Sequence, residues 1–255
     1  MIFTTISPRR STPGIETDGG GWTMANHLIL GASRGLGAAL VEGLPRKGDC
    51  IYGLSRSTPA WSRRKSAIRR HWIEADLCEI GAAQNARREI GKTPLDSLIH
   101  VAGIWDEEAF EDMHDDEIAE ILDVDLRSFL AFTRGLAPNL RRGAHAKIIA
   151  IGSTNGLDNG DGSAVAYTAA KFGLRGACQA LRQHFRKDGI AVTCLSPGSI
   201  ASDFGYADRD AALKKYRRKR MPVADIVAMV RCILDLSPAA CVKEITMPAL
   251  KDEDV

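Results

Sequence analysis

The sequence predicts an α/β fold, a single domain built on a parallel sheet with helices on both faces. Three observations carry this. From Asn26 onward, apolar runs of strand length alternate with segments of helical period, the rhythm of repeated strand–helix–strand units. Most of the strand-length runs are almost continuously apolar, as strands covered on both faces are. The first run passes directly into a glycine-rich turn, Gly31-Ala32-Ser33-Arg34-Gly35-Leu36-Gly37, that opens a helix.

The elements follow in order. HLILG (27–31) reads as a short buried strand, and 35–47 as a helix with Leu36, Leu40 and Leu44 on one face. IYGLS (51–55) and HWIEA (71–75) are the next strands, and 79–91 is helical. LDSLIHVAG (95–103) is a strand, followed by a long helical stretch at 114–141. AKIIAIGS (146–153) is a strand, 164–187 a helix and GIAVTCLSPG (189–198) a strand. Helical patterns at 208–219 and 223–236 precede a last strand, VKEITM (242–247). No repeat or linker interrupts 26–250, so 24–255 is read as one domain. Residues 1–23, rich in Thr, Gly, Pro and Ser, read as a disordered or extraneous tail with Met24 as an alternative start. Arg9-Arg10 lacks the apolar run that an export signal needs.

Composition narrows the function classes. The chain has 255 residues, 34 Lys+Arg against 32 Asp+Glu and 45% hydrophobic residues, giving a net charge of +2. That balance gives no drive toward nucleic acid or an anionic membrane, and no apolar run reaches the ~18 residues of a membrane span. The six cysteines are scattered with no CxxC pair, which fits reduced thiols of a cytoplasmic protein. The histidines have no ligand spacing, so no metal site is expected.

The glycine turn sits at a strand-to-helix junction, the context in which glycines admit a phosphate to free helix N–H groups. No Gly-Lys-Ser/Thr ending is present, which argues against a nucleoside-triphosphate loop. The second strand ends in Ser55-Arg56, where an NAD site usually has an acid. With Arg34 in the turn, two guanidiniums would suit a 2′-phosphate. Tyr167 and Lys171 stand four residues apart on one helix face. A free tyrosine has a pKa of about 10, and a neighbouring ammonium favours its phenolate. The pair can then exchange a proton with a carbonyl/alcohol oxygen. Ser153, at the end of the AKIIAIG strand and 14 residues before Tyr167, places a hydroxyl to hydrogen-bond that oxygen.

These motifs, in this order, resemble the short-chain dehydrogenase/reductase family over about residues 26–250. The turn is similar to the family's TGxxxGxG, with Leu30 in place of the threonine. The resemblance implies a Rossmann sheet of seven parallel strands in the order 3-2-1-4-5-6-7. It also implies hydride transfer between NADP(H), with NAD(H) less favoured, and a carbonyl or alcohol substrate. By the same resemblance the cofactor is held by Gly31, Ser33, Arg34, Gly35, Leu36, Gly37, Ser55 and Arg56. Asp76 and Leu77 lie where the family contacts the adenine, and Ala102 and Gly103 belong to the next cofactor-contacting turn. Lys171 would bind the nicotinamide ribose, beside Tyr167. Pro197-Gly198-Ser199-Ile200-Ala201-Ser202 looks like the PGxIxT segment, with Ile200 and Ser202 at the carboxamide. The catalytic set implied is Ser153, Tyr167 and Lys171.

Two positions depart from the family. NNAG is His100-Val101-Ala102-Gly103 here, and His100 is read as a structural substitute. Asp125 stands where the family has a catalytic Asn, 28 residues before Ser153. There the Asn holds a water in a proton relay to the lysine. Asp125 can still accept a hydrogen bond, and it is expected to keep the relay while shifting the pH profile alkaline. The alternative is a cofactor-binding regulator or scaffold with little turnover.

Nine acids lie in 106–120, among them Asp106, Glu107 and Glu120, and 214–220 is Lys-Lys-Tyr-Arg-Arg-Lys-Arg. A further basic stretch holds Arg63, Arg64, Lys65, Arg69 and Arg70. Residues 203–221 fall where the family has its mobile lid, so a basic lid suits an anionic substrate such as a carboxylate or a carrier-bound thioester. The turn and the IGS strand are similar to those of 3-oxoacyl-carrier-protein reductases, although Ala144 and Asp188 replace that subfamily's basic docking residues. Trp105, Asn155, Phe204 and Tyr206 are candidates to line the substrate pocket. The resemblance also implies a homodimer or homotetramer, with the helices at 114–141 and 164–187 forming one interface.

Overall fold

The structure is a computed structural model that describes residues 17–18, 22–63, 66–106, 108–157 and 162–252. The expected tail therefore lies mostly outside the described residues, as do Arg64, Lys65 and Glu107. Within 1–23, Thr17–Asp18 pairs antiparallel with Trp22–Thr23.

Seven parallel strands form the main sheet: β1 (Asn26–Leu30), β2 (Cys50–Ser55), β3 (Arg69–Glu74), β4 (Ser97–His100), β5 (Lys147–Ile151), β6 (Ala191–Pro197) and β7 (Glu244–Met247). Their order across the sheet is 3-2-1-4-5-6-7, as expected. The helices are α1 (Gly35–Gly43), α2 (Ala82–Ile90), α3 (Asp115–Leu122), α4 (Ser128–Leu140), α5 (Val165–His184), α6 (Arg209–Tyr216) and α7 (Val223–Asp235).

Strand β1 shows how the sequence builds two cores. Successive side chains of a strand point to opposite faces. Leu28 and Leu30 enter a cluster with Phe129, Phe132 and Leu136 of α4 and Leu174 of α5. Ile29 enters another with Leu36 and Leu40 of α1 and Val227 and Val230 of α7. Burial on both faces explains why β1 is apolar throughout. Lys147 is a buried exception in β5. Its ammonium donates to the carbonyls of Ile233 (2.9 Å), Leu234 (2.9 Å) and Leu236 (2.5 Å), satisfying the end of α7.

Three expected elements differ in detail. The stretch 114–141 is not one α-helix, because a π-helical turn at Asp123–Arg127 separates α3 from α4. Such single π turns inside a helix are frequent at functional sites, and Asp125 within it is fully buried. The helix expected at 208–219 ends at Tyr216, since Arg217 and Arg218 take left-handed φ values of 49° and 74°. The last strand is shorter than 242–247 and begins at Glu244.

The sheet order reverses between β1 and β4, and ligands of open α/β sheets bind in the crevice at such a point, beyond the strand carboxyl ends. Gly31 and Ala102 face each other there, after β1 and β4 respectively. Across the crevice, Ile200–Ala201 pairs in parallel with Met221–Pro222. This short ladder ties together the two ends of the 203–221 segment.

Candidate active site

The cofactor cradle is tight. Gly31 has φ +90°, and a Cβ on it would lie 2.7 Å from Ala102 Cα. A Cβ on Gly37 would lie 1.9 Å from the Gly31 carbonyl oxygen. Only glycine permits this approach of β1, α1 and β4. The α1 N-terminus carries no side-chain cap and no acid in its first turn, so its amides and dipole face the crevice without an internal anion. These features fit a dinucleotide pyrophosphate. Ser202 lies against Gly35, and a cavity of about 250 Å³ between them is lined also by Ser33, Trp61 and Phe204. Leu36 is buried beneath the turn. Pro197 ends β6, Gly198 N–H bonds the Met247 carbonyl (2.9 Å), and Ile200 sits in the ladder that closes the 203–221 segment.

The residues at the far end of the cradle have partners of their own. Ser55 is buried, donating to the Ser57 carbonyl (2.9 Å) and accepting from Trp72 Nε1 (3.1 Å). Asp76 accepts from Cys78 N–H (2.9 Å), and Leu77 is buried in the core. Arg34 is exposed at the turn. Arg56 is exposed and pairs with Glu120 of α3 at 3.2 Å. The two guanidiniums thus lie at the surface, with Arg56 already held by a carboxylate.

The reactive groups gather around Lys171. Its ammonium meets Asp125 Oδ1 at 2.9 Å and donates to the Ile151 carbonyl at 3.1 Å. It lies 5.2 Å from the centroid of the Tyr167 ring. Asp125 Oδ2 accepts from Ile104 N–H at 2.8 Å. Gly103 makes room for the pair, since a Cβ there would sit 3.0 Å from Asp125 Oδ1 and 3.4 Å from Lys171 Nζ. Lys171 is 3% exposed and Asp125 0%. Burial works against the Lys171 ammonium, but the Asp125 carboxylate, with a smaller part from the charged form of Tyr167, outweighs it and holds its pKa above the usual lysine value. Burial pushes the Asp125 carboxyl upward, against the Lys171 charge and the hydrogen bonds from Lys171 and Ile104. The two groups titrate as one unit.

Ser153 follows β5 and accepts from Asn155 N–H at 3.1 Å, a bond that does not use its own proton. The turn that it begins, Thr154–Gly156, packs on α5. A Cβ on Gly156 would lie 2.9 Å from the Lys171 carbonyl oxygen. Asn155 Nδ2 is buried and has no hydrogen-bond partner among the described residues. Trp105 packs against Tyr167 with centroids 4.8 Å apart and the rings tilted by 51°. The structure thus brings Ser153, Asn155, Trp105, Tyr167, Lys171 and Asp125 to one region. Tyr206 is not brought there. It packs over Gly43 of α1, where a Cβ would meet its ring at 2.5 Å, and its hydroxyl accepts from Arg231 (3.4 Å). Phe204 stays at the cradle, edge-on to Tyr216 at 6.1 Å. Sequence reasoning missed Ile104 N–H and the Ile151 carbonyl, which are backbone groups that no residue type announces.

His100 braces this region. It is fully buried, and Ser128 Oγ donates to the Val124 carbonyl (2.6 Å), so His100 Nε2 is assigned as the donor to Ser128 Oγ (2.7 Å). This links β4 to the π turn that carries Asp125. Burial, helped by the Lys171 charge, lowers the His100 pKa to about 3. The unfolded chain takes up a proton near pH ~6.5, so this residue costs stability as pH falls from there toward 3. Between pH 7 and 5 the loss amounts to about 2 kcal/mol. Urea unfolding of His100→Asn at both pH values is expected to lack that loss. The same acid sensitivity in the variant would refute the assignment.

Comparison with known proteins shows the family. Residues 25–212 match the family model described as short chain dehydrogenase, and the chain belongs to that family of oxidoreductases, which bind NAD(P)(H) and act on small molecules. It is 26% identical over 234 residues to a 3-oxoacyl-[acyl-carrier-protein] reductase FabG of Pseudomonas aeruginosa, covering 87% of this chain and 94% of the relative. It is 28% identical to an acetoacetyl-CoA reductase of Paracoccus denitrificans, covering 82% and 89%. The fold matches an alcohol dehydrogenase from the archaeon Thermococcus sibiricus complexed with 5-hydroxy-NADP, at TM-score 0.76, 18% identity and coverage of 89% and 97%. Among the described residues no helix is long and apolar enough to cross a membrane, and no group of three or more His, Cys, Asp or Glu is placed to hold a metal ion.

Proposed function

We propose that the protein is an NADP(H)-dependent oxidoreductase of a carbonyl/alcohol pair. The observation that carries this reading is the buried Lys171 ammonium, fixed by Asp125 and Ile151 and placed 5.2 Å from the Tyr167 ring. When bound, the nicotinamide supplies or accepts the hydride. Ser153 donates a hydrogen bond to the substrate oxygen and stabilises charge developing there. Tyr167 gives that oxygen a proton in reduction and takes one in oxidation. Lys171 holds positive charge beside the phenol and would bind the ribose hydroxyls of the bound nucleotide. Asp125 and the Ile151 carbonyl fix where the ammonium stands.

The substrate is a small carbonyl compound or alcohol, and the exposed basic run 214–220 favours an anionic one. Lys215 of that run is already paired with Asp203 at 2.6 Å. A homo-oligomer is supported by large apolar side chains left exposed on α4 and α5, Leu130 at 42% and Phe172 at 40%.

The test is oxidation of NADPH and NADH against ketones, aldehydes and 3-oxoacyl thioesters, with Tyr167→Phe as control. Turnover that vanishes in the control is the expected result. Tight NADPH binding with no turnover on any substrate would instead indicate a cofactor-binding regulator. Arg34→Ala is expected to weaken NADPH binding by about tenfold or more through loss of a charge-assisted phosphate bond, with NADH binding unchanged. Equal losses for both cofactors, read by fluorescence titration, would remove Arg34 from the phosphate.

A further inference from the structure

Helix α5 carries Tyr167 and Lys171, yet it begins without a cap of its own. Its N-cap is Ala164, which has no side-chain oxygen, and its first turn holds no acid. The first amides of a helix have no partner within the helix. Left unpaired in a buried place, they would cost stability and let the turn fray. The missing acceptor comes from about 60 residues upstream. Asp106 Oδ2 accepts from Ala166 N–H at 3.0 Å, and Oδ1 accepts from Tyr167 N–H at 2.9 Å. The carboxylate is 5% exposed. It does what an N-cap side chain does, with the added attraction of a full negative charge for the positive end of the helix.

The surrounding segment makes this more than a cap. Four consecutive residues after β4 each touch the reactive set. Gly103 gives space to the Asp125–Lys171 pair, Ile104 N–H holds Asp125, Trp105 lies on the Tyr167 ring, and Asp106 holds the Tyr167 backbone. Gly103 also belongs to the turn that faces the cofactor cradle. The tyrosine is therefore fixed at its backbone and its ring by the same short segment that lines the cradle.

We propose that Asp106 is a positioning residue for the reaction. It pins the first turn of α5 and so sets where the Tyr167 hydroxyl stands relative to Ser153 and the substrate oxygen. This rests on the proposed role of Tyr167. Misplacing a proton donor by about an ångström costs on the order of a hundredfold in rate without weakening binding of the ligands. A cap that mattered only for folding would leave turnover of the folded protein intact.

The test measures kcat, KM and NADPH affinity of the full chain for Asp106→Ala, Asp106→Asn and Tyr167→Phe. It uses whichever carbonyl compound of the panel is reduced fastest, with hydrogen exchange read over α5. Asp106→Ala is expected to lower kcat by about 10–100-fold, with KM and NADPH affinity within about threefold. Exchange should rise at 165–168 and stay unchanged at 174–184. Asp106→Asn leaves one acceptor oxygen for the two N–H donors and is expected to lose about threefold to tenfold in kcat, so it still tests the inference if the alanine variant does not fold. Full kcat in the folded Asp106 variants alongside an inactive Tyr167→Phe would overturn the inference and leave the proposed function standing. An active Tyr167→Phe would overturn both.

Discussion

In a Lys171→Met variant, carbonyl reduction is expected to fall by about 10²–10⁴-fold and the stability of the fold by about 3–5 kcal/mol. The two losses have separate causes. Turnover falls because the phenol of Tyr167 loses the positive charge beside it. Stability falls because Asp125, fully buried, keeps only the Ile104 N–H as a partner. A buried carboxylate without its counter-charge is far costlier than an ion pair replaced whole by apolar groups. The double variant Lys171→Met/Asp125→Leu is therefore expected to regain most of the lost stability and none of the activity. The destabilisation of the single variant should also shrink as pH falls, because a proton then neutralises the carboxylate, whose pKa burial has already raised. Urea unfolding at pH 7 and pH 5, paired with NADPH oxidation, reads both effects. If Lys171→Met kept its stability at pH 7, the two groups would not be an ion pair in the fold.

The sheet was legible because its information is local. Each strand is an apolar run, each crossover has a helical period, and the glycine turn sits where the first strand stops. The proposed trio can be picked out for a similar reason. Tyr167 and Lys171 share a helix face by spacing, and Ser153 marks a strand end. What the sequence did not show is how distant segments satisfy one another. The helical period runs through 114–141 unbroken, since one inserted residue in a π turn leaves the apolar pattern nearly intact. Only the folded structure shows that the bulge turns Asp125 inward to Lys171. Arg56 reads as a free cation until Glu120, 64 residues away, is found beside it. Asp106 stands in an acidic run that looks like a solvated face, and nothing near it in sequence reveals that the uncapped helix starting at Val165 needs its carboxylate. The loop position of Tyr206 suggests the pocket, but the bare surface at Gly43 gives its ring a packing site on α1.

Asp125→Asn restores the residue that the family places in this helix, and it is expected to move the pH–rate profile of alcohol oxidation to lower pH by about one unit. In the parent, a carboxylate 2.9 Å from Lys171 Nζ holds the ammonium's pKa up and sets a negative charge beside the positive one that faces the phenol. Asparagine removes that charge. The Lys171 pKa then falls from its raised value, the field at Tyr167 is less cancelled, and the reactive base form is reached at lower pH. The exchange is not free for the fold. Both groups that face Asp125, Lys171 Nζ and Ile104 N–H, are donors. One carboxylate oxygen accepts from Ile104 N–H and the other pairs with the Lys171 ammonium, whereas an amide is uncharged, has one acceptor oxygen and must turn its NH₂ toward the other donor. A cost of about 1–3 kcal/mol follows from the unsatisfied bond. Asp125 thus suits a place that faces two donors, and an alkaline profile is what its charge is expected to cost the chemistry. Superimposable pH–rate curves for parent and variant would show that the Asp125 charge does not reach the reacting proton. A profile displaced to lower pH together with lower stability would show that the same carboxylate tunes the tyrosine and holds the π turn in place.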